Sequence, residues 1–302
     1  MSITGIERMK KYGLLIIGLL LTGCAGYRTG YVNVSGGGQL YYEESGRGEP
    51  VLLLHGHSLD RRMWDEQWRP LSKHFRVVRP DFRGYGRSSE QREDLPMTHV
   101  DDVLVLMDSL HIHKAHVIGL SMGAFVAGDM LAMYPERMLT CVMASGGIRN
   151  SKGPSEPMDS AESSKRDKEI AALKEKGVER MKEEWLEQLM SSGGSQRERM
   201  RRPLIRMIRE WSAWQPLHKE VRLFYGKEAW HHLKERTQNE RLDVPTLFLR
   251  GANELKGKRT NPAEMRYLGH AQFLVIDDCG HMLNMEQPET FNRVVLQFIQ
   301  NH

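Results

Sequence analysis

Cysteine is scarce in this chain, and no apolar run is long enough to cross a membrane. The three cysteines, Cys24, Cys141 and Cys279, have neither the paired spacing of a disulfide framework nor that of a zinc or redox site. We therefore expect no disulfides, no metal and no other cofactor. The longest apolar run, residues 13–23, is about half of the roughly 20 residues that a membrane-spanning helix needs.

Excess charge is also small. The formal net charge is +4, and residues 1–23 already carry +2 of it, which is too little for a nucleic-acid-binding surface. The composition is 40% hydrophobic and 27% charged, as in ordinary globular proteins, and this excludes disorder of the whole chain. The length of 302 residues suits one α/β core with an insertion.

Residues 1–23 are predicted to be a signal peptide. Two lysines, Lys10 and Lys11, precede the short apolar run, and small residues follow it. The residues before Met9 do not fit a signal peptide. Met9 is therefore a candidate start of translation besides Met1. A plain secretory signal or an uncleaved anchor is the alternative, in which Cys24 has no special role.

The string Leu21-Thr22-Gly23-Cys24 resembles the lipobox of bacterial lipoproteins. The resemblance implies cleavage before Cys24 and a diacylglycerol on its thiol. Each buried methylene of the acyl chains contributes about 0.8 kcal/mol, so several chains anchor a protein stably. We therefore expect a lipid-anchored protein of the bacterial cell envelope. Because Ala25 is not aspartate, the resemblance implies the outer membrane if the host is Gram-negative.

Strand and helix patterns alternate from Tyr31 onward. This alternation predicts an α/β fold with a mostly parallel twisted sheet and helices on both faces. The predicted strands are Gln39–Glu44, Pro50–Leu54, Phe75–Arg79, His116–Leu120, Leu139–Ala144, Thr246–Arg250 and Gln272–Ile276. The predicted helices are Met63–His74, Val100–Leu110, one that follows Ser121, and a last one from Pro288.

A charged segment without apolar strand runs interrupts this alternation. We predict a helical cap at 148–242, inserted between two parts of the core at 24–147 and 243–302. Its amphipathic helices are predicted at Glu169–Met190 and Met200–Trp214, with a break at Ser191–Ser195. The alternative is a charged helical hairpin that takes no part in substrate binding.

A Gly-x-Ser-x-Gly string at residues 119–123 is the strongest candidate for chemistry. It lies between a predicted strand and a helix, where two glycines allow a sharp turn that lifts the Ser121 hydroxyl above the sheet. The alternative is a structural serine at a tight turn. A serine hydroxyl needs a base, and His281, which follows the last strand, can reach the top of the sheet. We predict Ser121 as nucleophile and His281 as base.

Acyl transfer also needs two backbone amides that stabilise an oxyanion. The amide of Met122, directly after the nucleophile, is one candidate. The amide of His57 is the other, in the loop that follows the strand Pro50–Leu54, where Gly56 permits a close approach. An alternative, a metal site made by His55 and His57, has no convincing third ligand.

Four segments in order resemble the α/β-hydrolase superfamily: LLLHGHSLDRRMWDEQW, RPDFRGYGRS, HVIGLSMGAFVA and DDCGHMLNMEQPETF. The resemblance runs from about Gly30 to His302 and is to the branch of esterases, enol-lactonases and carbon–carbon bond hydrolases. It implies that Asp81 and Arg83 belong to a structural turn. Haloalkane dehalogenases and epoxide hydrolases of this fold use an aspartate nucleophile, and Ser121 argues against both.

The same resemblance suggests the acid of a catalytic triad. The family places it after the strand that follows the cap, which here leads to Glu254, although aspartate is commoner. Some relatives carry the acid before the cap, but residues 146–150 contain no carboxylate. Asp277 and Asp278 are rivals that reach His281 only by a local turn, and Glu254 as a solvated loop residue is the remaining alternative.

Together these features predict an enzyme that hydrolyses a small ester, lactone or related acyl compound. A non-catalytic binding protein on the same fold is one alternative, and a cofactor-free perhydrolase similar to haloperoxidases is another. Three tryptophans of the insertion, Trp211, Trp214 and Trp230, are predicted to line an apolar pocket above Ser121. The alternative is that they only hold the cap to the core.

Overall fold

The computed structural model describes residues 26–90, 97–148, 160–210, 224–256 and 261–302. The predicted signal peptide and Cys24 lie outside these ranges, as do Trp211 and Trp214. In the part of the chain that is described, no helix is both long and apolar enough to cross a bilayer.

A single eight-stranded sheet organises the described residues, with the spatial order β1-β2-β4-β3-β5-β6-β7-β8. The strands are β1 (Arg28–Val34), β2 (Gly38–Ser45), β3 (Pro50–Leu54), β4 (Arg76–Pro80), β5 (Ala115–Leu120), β6 (Met138–Ala144), β7 (Thr246–Gly251) and β8 (Ala271–Ile276). Strands β1 and β2 pair antiparallel, and β2 joins β4 in the same way. The other neighbours are parallel, so the carboxyl ends of β3 and β5–β8 meet at one edge.

Helices cover both faces of this sheet. They are α1 (Asp65–Ser72), α2 (His99–Ser109), α3 (Met122–Met133), α4 (Ser160–Lys176), α5 (Val178–Ser191), α6 (Glu198–Glu210), α7 (Lys227–Arg236), α8 (Leu283–Glu286) and α9 (Pro288–Gln300). Side chains of α2, α3 and α7 pack on one face, those of α1, α6 and α9 pack on the other, and α5 contributes to both.

Strand β3 shows why the sheet is buried on both faces. Its side chains alternate in direction, as in any strand, so Leu52 and Leu54 join one core cluster while Val51 and Leu53 join the other. Full burial of one such side chain contributes about 1.5–3 kcal/mol to folding. An uninterrupted apolar strand is therefore typical of a central position between two helical layers.

The predicted fold class is confirmed, while several helices and strands differ from the predictions, among them α7, which was not predicted from the sequence. Strand β1 was not predicted, because it is an edge strand of mostly exposed residues without an apolar run. The helix predicted over Glu169–Met190 is interrupted at Gly177, where the backbone has a φ of 83°. The interruption divides it into α4 and α5. The helix predicted from Met63 begins as a 3₁₀ turn, Arg61–Trp64, before α1.

The insertion contributes α4 to α7 between β6 and β7. Its predicted break is confirmed, since α5 ends at Ser191 and α6 begins at Glu198. Apolar residues of α5 and α6 enter the core cluster on the second face of the sheet, among them Leu189, Met190 and Leu204. The domain limits at 148 and 242 stay a prediction.

Candidate active site

Ser121 occupies a strained turn between β5 and α3. Its backbone has φ 55° and ψ −113°, a conformation that costs a residue with a side chain roughly 1–3 kcal/mol. A Cβ atom on Gly119 would overlap the Gly123 carbonyl, and one on Gly123 would overlap the Leu54 carbonyl. The two glycines therefore permit the close packing that this turn requires, and Ser121 stays partly exposed at the carboxyl edge of the sheet.

His281 and Glu254 meet at the same edge, in the loops that follow β8 and β7. His281 Nδ1 lies 2.9 Å from Glu254 Oε1, and the two side chains are about equally exposed, at 25% and 24%. Burial raises the pKa of Glu254, but the hydrogen bond and the charge of His281 outweigh it and hold that pKa below its usual value. An ionised carboxylate thus fixes the orientation of the imidazole.

Ser145, at the end of β6, is a third partner that the sequence did not indicate. Its Oγ lies 2.7 Å from Glu254 Oε2 and 2.9 Å from the His281 carbonyl oxygen. The single hydroxyl proton goes to the carboxylate, because hydrogen bonds to charged acceptors are the stronger ones. Ser145 itself has φ 50°, so a second strained residue stands beside the pair.

The rival acid Asp278 is bonded elsewhere. Its carboxylate accepts the Ser195 amide at 3.0 Å and the Ser195 hydroxyl, and these hydrogen bonds hold the pKa of Asp278 below its usual value. Asp278 therefore joins the cap to the loop after β8, whereas the carboxylate on the His281 ring is that of Glu254.

The contact between Ser121 and His281 is incomplete in this structure. The hydrogen bonds of the described residues include none between Ser121 Oγ and the His281 ring. Hydrogen bonds of this kind are often long in unliganded enzymes and tighten when substrate binds.

The loop after β3 lies directly against the turn at Ser121. The Cβ position of Gly56 is 3.7 Å from Ser121 Cβ, and His57 is the next residue of this loop. Met122 is the first residue of α3, so its amide has no acceptor within the helix. Both positions suit oxyanion donors, and that role stays a prediction for each.

His55 supports this loop and is unsuited to metal binding. Its Nε2 accepts the Phe82 amide at 2.9 Å, and its Nδ1 donates to the Gly56 carbonyl at 2.8 Å. Burial lowers the pKa of His55 to about 4, so the ring stays neutral. Within the described ranges, no three His, Cys, Asp or Glu side chains are close enough to hold a metal ion.

Trp185, which the sequence did not indicate as a site residue, lies beside this loop. The Trp185 ring of α5 meets the His57 ring edge-on, with the centroids 5.6 Å apart. Among the described residues its buried indole N–H has no hydrogen-bond partner, which is uncommon in folded proteins. Burial lowers the pKa of His57 to about 4, so the neighbouring imidazole is neutral.

Of the three tryptophans predicted to line the pocket, only Trp230 is within the described residues. It belongs to α7, packs against the core cluster beneath α3, and meets the ring of Tyr267 edge-on at 5.8 Å. These contacts are with the core. The pocket role of Trp211, Trp214 and Trp230 stays a prediction.

Glu286 links the His281 loop to the cap. Its fully buried carboxylate accepts the amide of Gly280 at 2.8 Å through one oxygen and the amide of Gly194 through the other. Gly280 directly precedes His281, and Gly194 belongs to the break between α5 and α6. A single carboxylate thus joins the loop of the candidate base to the insertion.

Glu286→Gln is expected to lower the free energy of unfolding by about 1–3 kcal/mol, because an amide group would face a buried N–H and leave it without an acceptor. Urea unfolding measures this, with Glu289→Gln as the matched control. Glu289 is exposed and pairs with Arg199, so its loss should cost about 1 kcal/mol or less. Equal effects of the two substitutions would contradict the prediction.

Comparisons with known proteins identify the fold family. The sequence profile of the alpha/beta hydrolase fold matches residues 49–288. The 2-hydroxy-6-oxo-6-phenylhexa-2,4-dienoate hydrolase of Comamonas testosteroni is 25% identical over 272 residues, which is 86% of this chain and 91% of that protein. A thermophilic esterase from Thermogutta terrifontis superposes with a TM-score of 0.67 at 25% identity, over 91% of this chain and 98% of the esterase.

Other relatives match a shorter part. Two Mycobacterium tuberculosis proteins that bear the name of a non-heme bromoperoxidase, BpoC, are 32% identical over 106 residues, and that match spans 34% of this chain and 40% of theirs. The family profile covers most of the chain and includes Ser121, His281 and Glu254. This chain is a hydrolase and belongs to the α/β-hydrolase family.

Proposed function

We propose that this hydrolase cleaves a small ester, lactone or related acyl compound through a Ser121–His281–Glu254 triad. The hydrogen bond of 2.9 Å between His281 Nδ1 and Glu254 Oε1 is the observation that carries the proposal. The strained turn at Ser121 and the 25% identity to the Thermogutta terrifontis esterase support it.

The proposed reaction has two halves. His281 Nε2 takes the Ser121 proton while Oγ attacks the substrate carbonyl, and the amides of Met122 and His57 stabilise the oxyanion that forms. The imidazolium, held by Glu254, then protonates the leaving alcohol. A water molecule, activated by the same imidazole, hydrolyses the acyl-enzyme and restores the serine.

A chromogenic ester tests the proposal. Mixing with p-nitrophenyl acetate should give a burst of p-nitrophenol close to one equivalent per protein, followed by slower turnover. A stoichiometric non-covalent complex without product would favour a binding protein. A rate of peracid formation from acetate and peroxide that exceeds ester hydrolysis would favour a perhydrolase. A series of acyl esters and lactones then defines the substrate class.

The pH profile gives a second test. His281 must be neutral to accept the serine proton, so kcat/KM is expected to fall on the acidic side. The pKa values of His55 and His57 are lowered to about 4, so these two rings stay neutral until well below pH 5 and cannot cause a fall at higher pH. An activity that stays constant down to about pH 4.5 would contradict a histidine base.

We also propose that Cys24 anchors the protein to a membrane of the bacterial envelope. The lipobox-like string before it is the support. Cys24→Ser is expected to remove the lipid and shift the protein out of the Triton X-114 detergent phase, with mass spectrometry of the amino terminus as the direct measurement. An unchanged mass and an unchanged phase distribution would contradict the anchor. Cys279→Ser, at a buried cysteine, is the matched control.

A further inference from the structure

Three arginines form an exposed stripe on α6. Arg202, Arg206 and Arg209 follow at spacings of four and three residues, which places them on one side of the helix. All three are exposed, and no ion pair joins any of them to a described residue. Like charges at this spacing repel each other, and no carboxylate of the described ranges pairs with these three to offset that repulsion.

Four other arginines of the insertion differ from the stripe in having a carboxylate partner. Arg166, Arg180, Arg199 and Arg201 each have a carboxylate within 4 Å. A solvated helix face usually mixes both signs in this way. The stripe therefore differs from these paired arginines in presenting three guanidinium groups on one side of a helix.

Two carboxylates close to the stripe pair with arginines that do not belong to it. Glu210 pairs with Arg62 at 2.6 Å, and Asp65 pairs with Arg79 at 2.6 Å. Both acids line the clefts that the stripe borders. Each bonds an arginine outside the stripe, and these two arginines also bond Asp60 and Glu43. Within the described part of the chain, no carboxylate pairs with Arg202, Arg206 or Arg209, so their guanidinium groups can bind an anion from outside.

Apolar atoms accompany these charges. Two adjoining clefts, of about 390 and 260 Å³, run along α6. Ile205 lines the first, and the exposed Pro203 lines the second. Basic side chains interspersed with apolar ones are typical of surfaces that lie in a lipid headgroup region.

The amino-terminal end of the described chain lies on the same side of the molecule. The Tyr27 ring meets the Trp68 ring edge-on at 6.3 Å, and the Arg79 guanidinium lies 4.2 Å above Trp68. Arg79 bonds Asp65, and Asp65 lines one cleft together with Arg202 and Arg206. A continuous set of contacts thus leads from Tyr27 to the stripe.

The proposed lipid site is close to this end. Cys24 precedes Tyr27 by three residues, and three residues of chain span at most about 11 Å. Acyl chains on Cys24 would therefore bring a membrane to the side of the protein on which α1 and α6 lie. A bilayer containing anionic lipids also carries the negative charge that the stripe lacks.

We propose that the Arg202–Arg206–Arg209 stripe of α6 binds anionic phospholipid headgroups and holds this face of the enzyme against the membrane. The inference uses the proposed anchor only for the location of the bilayer. Each arginine near such a surface contributes about a fivefold gain in partitioning, so three contribute on the order of 100-fold at low salt.

Arginine modification measures this contact on the full chain. The purified protein is bound to vesicles of phosphatidylcholine with about 30% phosphatidylglycerol, or to pure phosphatidylcholine, and treated with p-hydroxyphenylglyoxal. Peptide mass spectrometry gives the rate at each arginine. We expect modification of the stripe to be at least about fivefold slower on the anionic vesicles, and to recover in about 0.5 M NaCl, where the screening length is only about 4 Å. The exposed Arg180 should show no difference.

Charge-neutral variants provide the matched comparison. Energy transfer from tryptophan to dansyl-labelled lipid on the anionic vesicles should fall in Arg202→Gln/Arg206→Gln/Arg209→Gln. It should be unchanged in Lys165→Gln/Lys168→Gln/Lys174→Gln, which removes three exposed charges from α4. The six sites are exposed and lie outside the catalytic residues, so ester turnover in solution should stay the same.

Three results would overturn the proposal: equal modification rates on both vesicle types, equal losses in the two triple variants, or equal protection by soluble glycerol 3-phosphate without vesicles. The mass of the amino-terminal peptide, measured on the same sample, reports lipidation separately. If the chain carries no lipid and its stripe is still protected on anionic vesicles, the proposed anchor is rejected and lipid binding by the stripe is supported.

Discussion

Ser121→Ala is expected to lower kcat for a chromogenic ester by roughly three to six orders of magnitude, because loss of the nucleophile leaves only binding and oxyanion stabilisation. The Ser121→Ala variant should fold like the wild type. Removing one hydroxyl leaves the turn, the packing of α3 on the sheet and the bond from the Ser121 amide to the Ala144 carbonyl at 2.9 Å unchanged. The melting temperature should therefore shift by only a few degrees.

Fluorophosphonate labelling makes this test specific. Wild type should take up one label per chain, and Ser121→Ala should take up none. Ser195→Ala is the matched control, since Ser195 is an exposed serine of the cap that bonds Asp278, and it should be labelled at the wild-type rate. A labelled Ser121→Ala protein, or one with a few per cent of wild-type turnover, would reject Ser121 as nucleophile.

The elements of the site that the sequence predicted well are governed by local rules. Gly119 and Gly123 are needed because carbonyl oxygens occupy the space of a Cβ, so the glycines themselves report the turn. Strand β3 is buried on both faces and consequently apolar throughout. Patterns of this kind are written in neighbouring residues and can be recognised without a structure.

Other features depend on contacts between distant segments. Ser145 and Glu254 are 109 residues apart, and nothing near Ser145 in the sequence indicates that its hydroxyl will reach a carboxylate. Trp185 lies in a charged helix whose general character gives no sign that one ring meets His57. Gly177 interrupts a continuous amphipathic pattern through a left-handed backbone conformation, which the pattern of apolar residues does not report. The sequence therefore predicted the candidate catalytic residues but not the contacts of Ser145 and Trp185 or the break at Gly177.

The assignment of the acid is the prediction in which both sources contribute. The family resemblance leads to Glu254, although the family more commonly has aspartate at this position. The geometry separates the candidates, since Glu254 bonds the His281 ring while Asp278 bonds Ser195. This difference leads to opposite expectations for two isosteric substitutions.

Glu254→Gln is expected to lower kcat by roughly three to four orders of magnitude, because an amide holds no negative charge beside the imidazolium and can present N–H₂ to His281 Nδ1. An imidazole turned to the other tautomer cannot accept the Ser121 proton. Glutamine has the same shape as glutamate. Its amide oxygen can still accept the hydrogen bond from Ser145 Oγ, which in the wild type lies 2.7 Å from Glu254 Oε2. The free energy of unfolding should accordingly change far less than the rate.

Asp278→Asn is the matched control, and the comparison is made in kcat with KM measured alongside. Asp278 is exposed and its partners are on the cap, so its loss should change kcat by no more than about tenfold, because surface hydrogen bonds contribute little. Ser145→Ala should give an intermediate loss of kcat and shift the acidic limb of the pH profile, since the carboxylate would lose one donor. Near-wild-type turnover in Glu254→Gln combined with a large loss in Asp278→Asn would transfer the role of the acid to Asp278. A large loss in both would mean that the whole loop after β8, rather than one carboxylate, sets the position of His281.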